Sequence, residues 1–160
     1  MLTLVIRYKS RHRHIDLVKL DTLCPNLKEL TVSDSIMVYK PGNSMVVDIK
    51  SFSNLKYLTV KDVMMEGDQA CWKRLVRITT EDQQYSNPYL LQIKRCSGLV
   101  RLTLQSIRMT DADMTDLLSA NSFSQLEELN ISSAGVINLT EDSVYKLIEK
   151  CPRYEHILST

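Results

Sequence analysis

Four cysteines (Cys24, Cys71, Cys96, Cys151) and three histidines (His12, His14, His156) are the residues here best suited to metal or nucleophilic chemistry. A zinc site needs ligands at short set spacings, typically with a Cys-x-x-Cys pair. No two cysteines stand so close, and only His156 lies near one, Cys151. That pair could in principle join a thiol to an imidazole. Nothing beside it reads as the third group that would orient the base. The chain also lacks His-Glu-x-x-His, a phosphate-cradling glycine loop and Gly-x-Ser-x-Gly. The sequence thus offers no catalytic residue, no metal ligand set and no cofactor-binding residue, and the expectation is a protein that is not an enzyme. One basic run remains, Arg7-Tyr8-Lys9-Ser10-Arg11-His12-Arg13-His14. It could touch phosphate or RNA, or serve as an import signal. Single-strand binding also needs interleaved aromatic residues for stacking, and the chain lacks them. A solvated loop accounts for the run, and nucleic acid is not the expected partner.

The totals narrow the class. The net charge of +1 gives no global field towards nucleic acid or acidic lipid. The 160 residues suffice for one domain with one core. The start, MLTLVIRYKS, has a short apolar run followed by basic residues, the reverse of a secretory signal. No apolar run reaches the roughly 18 residues of a membrane span. A cytoplasmic or nuclear protein with no membrane contact is expected. On that reading Asn130-Ile131-Ser132 and Asn138-Leu139-Thr140, which match the glycosylation pattern, carry no weight.

The elements that must position any site follow from a repeated phrase, Leu-x-x-Leu-x-apolar. It occurs as Leu27–Val32, Leu55–Val60, Leu99–Leu104 and Leu126–Ile131. Weaker copies are Met1–Ile6, Leu75–Thr80 and Tyr154–Ser159. Their second anchors are Leu4, Leu30, Leu58, Ile78, Leu102, Leu129 and Ile157, spaced 26, 28, 20, 24, 27 and 28 residues apart. Those steps match the period of about 20–29 residues of leucine-rich repeats. Side chains alternate along a strand, so the fourth and sixth positions of each phrase share one side. Successive strands stack in parallel, and no repeat can bury its apolar face alone. The expected fold is α/β, a leucine-rich-repeat solenoid with a curved parallel sheet of about seven short strands and helices on its convex side. Residues 1–160 form one such domain, which can be part of a longer array.

The return segments read as helices or helical turns. Thr110-Asp111-Ala112-Asp113 resembles a capping box, followed by Met114, Leu117 and Leu118 at helical spacing. Thr140 can cap a helix carrying Val144, Leu147 and Ile148. Asn87-Pro88 starts another, running through Leu90, Leu91 and Ile93. Ile15, Leu17, Val18 and Leu20 belong to an earlier one. The segments at 44–52 and 66–72 are short, and Pro41-Gly42-Asn43-Ser44 reads as a turn.

Cys24-Pro25-Asn26-Leu27, Cys96-Ser97-Gly98-Leu99 and Cys151-Pro152-Arg153-Tyr154 resemble the cysteine-containing class of leucine-rich repeats. Met109-Thr110-Asp111 and Leu139-Thr140-Glu141-Asp142 resemble the helix start of that class. The class is typical of F-box/leucine-rich-repeat proteins, the substrate receptors of cullin-type ubiquitin ligases. The resemblance spans the chain at the level of the repeat. It implies a protein-interaction module like the substrate-recognition repeats of such a receptor. A scaffold or assembly factor without a ubiquitin link is the alternative, and a nucleic-acid-binding repeat protein a further one. Two departures stand out. Where the class has Cys or Asn after the strand, this chain has Ser35, Val63, Gln83, Ile107 and Ala134. The first phrase begins at residue 1, and no F-box-like segment is read within the 160 residues. The cysteines themselves read as small core residues filling tight corners, with Phe52 and Phe123 in equivalent places.

Partners of such a fold usually dock on the concave sheet. Its middle row is Val5, Thr31, Thr59, Thr79, Thr103, Asn130, Leu158. The row before it is Thr3, Glu29, Tyr57, Arg77, Arg101, Glu128, His156, and the row after it Arg7, Ser33, Lys61, Glu81, Gln105, Ser132. Tyr and Arg are enriched at interface hot spots. The expected contact residues for a protein partner are Tyr57, Thr59, Lys61, Arg77, Thr79, Arg101, Thr103, Glu128 and Asn130. Arg77 and Arg101 on neighbouring strands repel unless something acidic stands between them. Either Glu29, Glu81 and Glu128 neutralise them, or an acidic or phosphorylated ligand does. Asp34, Asp62 and Asp82, just past three strands, read as turn residues. Both ends of the phrase series are strands without caps. An adaptor or a second copy covering those ends is the other expected contact.

Overall fold

A computed structural model of the chain describes residues 2–8, 22–34, 46–81, 86–107, 109–119, 123–132, 139–151 and 156–158. Seven strands form one sheet: β1 (Leu2–Tyr8), β2 (Leu27–Asp34), β4 (Tyr57–Lys61), β6 (Arg77–Glu81), β7 (Arg101–Gln105), β8 (Glu128–Ser132) and β9 (His156–Leu158). Their order across the sheet is their order along the chain, and every neighbouring pair is parallel. The anchors meet in register: Leu4, Leu30, Leu58, Ile78, Leu102, Leu129 and Ile157 form one row. Each of the seven recurring phrases thus carries one strand of the sheet.

Between them runs a second set of elements. β3 (Val46–Asp48) and β5 (Met64–Glu66) pair in parallel with each other. Then come α1 (Gln69–Arg74), α2 (Ser86–Ile93), α3 (Asp111–Ser119) and α4 (Glu141–Lys150). This layer also runs in chain order, with β3 on β5, β5 on α2, α2 on α3 and α3 on α4. The second and third return segments therefore contain short strands, where helical turns were expected. Val46-Val47 and Met64-Met65 are short apolar pairs, too short for a helical turn but able to share backbone hydrogen bonds side by side. The turn at 41–44, the helix expected around residues 15–20, and Ser35, Gln83 and Ala134 lie outside the described residues.

One hydrophobic cluster lies between the layers. The sheet contributes Leu30, Leu58, Ile78, Leu102 and Leu129 of the anchor row and, two residues on, Ile6, Val32, Val60, Leu104 and Ile131, with Thr80 as the polar exception. The helices contribute Cys71, Trp72, Leu90, Ile93, Met114, Leu117, Leu118 and Leu147. Burying a residue of Leu size stabilises by about 1.5–3 kcal/mol, so this interface carries most of the fold's stability.

The corners before β2, β4, β6 and β8 share a backbone device. The N–H of Leu27, Leu55, Leu75 and Leu126 donates to the carbonyl three residues earlier, on Cys24, Phe52, Trp72 and Phe123. Cys96 and Cys151 hold the same sequence place and are buried. In the third unit the corner residue is thus Trp72, fully buried, with its indole N–H donating to Gly67 O at 3.1 Å. Gly67 has to be glycine, since a Cβ there would stand 2.9 Å from Ile49 Cγ1 and 3.1 Å from the indole nitrogen. Asp62 and Ser106, the residues just past β4 and β7, both adopt the left-handed backbone, at φ 52 and φ 57. Val63 and Ile107, which follow them, are buried. They fill with hydrocarbon the place where the resembling class carries Cys or Asn.

Candidate interaction face

The positions between the anchors point away from the core. The register brings Glu29, Tyr57, Arg77, Arg101 and Glu128 into one row, Thr31, Thr59, Thr79, Thr103 and Asn130 into the next, and Ser33, Lys61, Glu81 and Gln105 into the third. All nine candidate contact residues therefore lie on one surface of four neighbouring strands, β4, β6, β7 and β8. Each is half-buried except Arg101, which is exposed. Such a surface is rigid, because every strand in it is held on both edges.

The charges on it are mostly spent within it. Lys61 Nζ meets Glu81 Oε1 at 2.5 Å across β4 and β6. Arg101 Nε meets Glu128 Oε2 at 3.3 Å across β7 and β8. Thr3 donates its hydroxyl hydrogen to Glu29 Oε2 at 2.9 Å. The two arginines, adjacent in register, lean apart. Arg101 turns to Glu128, while the Arg77 guanidinium lies over the Tyr57 ring, 5.1 Å from its centre. Mutual repulsion and the negative face of the ring both favour that split. Of the three acidic residues expected to neutralise the arginines, only Glu128 does so, and Glu81 serves Lys61 instead.

Arg77 is left without a carboxylate among the described residues. Its Nε is enclosed by protein and has no hydrogen-bond partner. The amide oxygen of Asn130, two strands away in the middle row, is likewise enclosed and unpartnered. The sequence identified Arg77 by residue type. It gave no sign that Arg77 rather than Arg101 would be the unsatisfied one, because the choice depends on which way each side chain turns.

A second concavity lies in the helical layer. It is an open cleft of about 510 Å³ lined by Asp111, Thr115, Asp116, Thr140, Asp142 and Lys146, among others. Its carboxylates already have partners: Asp116 pairs with Lys94, Asp142 with Lys146 at 2.6 Å, and Asp111 accepts the Thr140 N–H at 2.9 Å. It reads as a capping network between α3 and α4.

The cysteines have the character of packing residues. Cys96 is fully buried and its thiol is pushed up to about 12 by desolvation; burial raises Cys151 to about 11. Cys71 is also raised, chiefly by burial. All four thiols are free. Among the described residues, no three His, Cys, Asp or Glu side chains come close enough to hold a metal, and no helix is long and apolar enough to cross a membrane. His12, His14 and the basic run beyond Tyr8 lie outside the described residues.

No protein-family model matches the chain, and no curated protein matches it in sequence.

Proposed function

We propose that the chain is a leucine-rich-repeat solenoid that binds another protein through the outward face of its sheet, in the cytoplasm or nucleus. What supports the reading is the seven-strand register, which aligns three rows of polar and aromatic side chains on one rigid surface. Repeat proteins whose back layer shields the core leave this face free for partners. Tyr57, Arg77 and Arg101 stand near its centre, where binding energy concentrates. Thr59, Thr79, Thr103 and Asn130 supply hydrogen-bonding groups beside them. The resemblance to cysteine-containing repeats makes the substrate-recognition part of an F-box-type ubiquitin ligase receptor the leading version.

The test is affinity purification with mass spectrometry from cells making wild type or Arg77→Glu/Arg101→Glu, the variant first checked for native circular dichroism. A partner enriched with wild type and lost from the folded variant supports the reading. Identical profiles overturn it. A ligase adaptor among the proteins retained by wild type supports the receptor version. A partner without any adaptor makes the chain a scaffold.

A further inference from the structure

The outward face divides its charges unequally. Lys61 and Arg101 are each matched by a glutamate on the next strand. Arg77 is matched by none among the described residues, and its enclosed Nε has no acceptor. A guanidinium partly withdrawn from water without a counter-charge is costly, and an incoming anion that meets its terminal nitrogens, which are not enclosed, relieves that cost. The cation–π contact with Tyr57 restrains the guanidinium beforehand, so less freedom is lost when a ligand arrives.

The surroundings decide which anion. Glu29 lies in register with Tyr57 on one side of Arg77, and Glu128 in register with Arg101 on the other. Two flanking carboxylates repel a dianion about twice as strongly as a monoanion. A phosphate group also calls for several cations, and the neighbouring two are already engaged. One planar guanidinium with one positive charge matches one planar carboxylate. Along β6, Thr79 stands two residues from Arg77 on the same face, in line with Thr59 and Thr103. Their hydroxyls can meet the polar backbone of a segment that carries the acid.

We propose that Arg77, seated on Tyr57, receives the carboxylate of an Asp or Glu side chain from an extended acidic segment of the protein partner. The assignment rests on the outward face being the binding face. It names the chemistry that the face selects.

The measurement is a titration of the ¹⁵N-labelled protein, following the Arg77 Nε–H resonance. The probes are a blocked five-residue peptide with a central Glu, its Gln counterpart, acetate and inorganic phosphate. The Glu peptide should shift that resonance saturably and bind about tenfold more tightly than the Gln peptide. Phosphate should bind no more tightly than acetate. Arg77→Lys, which keeps the charge but loses the planar fork, should weaken the Glu peptide to near the Gln level. Equal binding of the two peptides, no saturable shift, or a clear preference for phosphate overturns the assignment. Thr103→Trp, a steric block near the centre of the face, separates this failure from that of the broader reading. If the cellular partner is lost with Thr103→Trp and kept with Arg77→Gln, the face binds and the carboxylate assignment falls. If both variants retain it, the face reading falls too.

Discussion

Thr80 stands where the other strands carry Val32, Val60, Leu104 and Ile131, fully buried, and its hydroxyl has no hydrogen-bond partner. A buried unpaired hydroxyl costs on the order of 1–3 kcal/mol relative to a paired one. Thr80→Val keeps the branched shape and removes the polar group. Urea unfolding should show the midpoint rising, equivalent to about 1 kcal/mol, with an unchanged slope. A fall in the midpoint would mean that the hydroxyl has an acceptor in solution. The thiols give a second residue-scale expectation. Cys71, Cys96 and Cys151 are buried and their thiols are raised, whereas Cys24 is half-exposed. At pH 8 an aromatic disulfide reagent should find one fast thiol in the native protein, and Cys24→Ser should remove that phase. Sequence spacing marked Cys24, Cys96 and Cys151 as corner residues. It missed Trp72 in the same role, because the search followed the cysteine rather than the place three residues before the strand.

The link between α3 and α4 depends on two caps that also hold each other. Thr110 and Asp113 exchange hydrogen bonds, the Asp113 N–H donating to Thr110 Oγ1 at 3.3 Å and the Thr110 N–H to Asp113 Oδ2 at 2.9 Å. Thr140 accepts the Ser143 N–H at 3.4 Å and gives its own backbone N–H to Asp111. Thr140→Ala should cost about 1 kcal/mol in chemical unfolding. The Ser143 hydroxyl, followed by the Thr140 N–H, holds the Asp111 carboxyl below its ordinary 3.8. A carboxyl depressed in the folded state stabilises fully above its unfolded value, and that contribution fades as pH falls towards the folded value. Between pH 6 and pH 3 the melting temperature should therefore drop less in Asp111→Asn than in wild type. An equal drop would assign the acid sensitivity elsewhere. These caps were legible, since Thr-x-x-Asp ahead of helically spaced Met114, Leu117 and Leu118 is a local signal. β3 and β5 were not. Three-residue strands leave no alternation to read, and their pairing joins residues far apart in sequence.

Across the whole molecule, stability follows position in the stack. Leu102 is buried in the fifth of seven strands, with neighbours on both edges, whereas Leu4 is only partly buried in the outermost one. Leu102→Ala should cost about 2–5 kcal/mol, and Leu4→Ala clearly less. Equal costs by denaturant unfolding would mean that the first strand is sealed by something further in solution. Gly98 adds a contact between successive units, since a Cβ there would stand 2.9 Å from the Lys73 carbonyl oxygen. The overall plan was legible because each phrase repeats both an apolar pattern and a spacing, which together fix the register. The pairing within the outward rows was not, because a linear pattern gives the row of Arg77 and not the direction in which its side chain turns.

The back layer changes its stride part-way along the chain. Behind β2 and β4 it is made of β3 and β5, which step at about 4.8 Å, as the front strands do. Behind β6 to β8 it is made of α2, α3 and α4, and packed helices step at about 8–10 Å. Equal strides run straight, while a back nearly twice as wide as its front forces each unit into a wedge, like the stones of an arch. Tyr57 and Arg77 sit at the joint between the two regimes. A rigid rod-like partner could follow the face on one side of that joint only. A chain that bends there could follow both, and under the proposal for Arg77 its acidic residue would stand at the elbow.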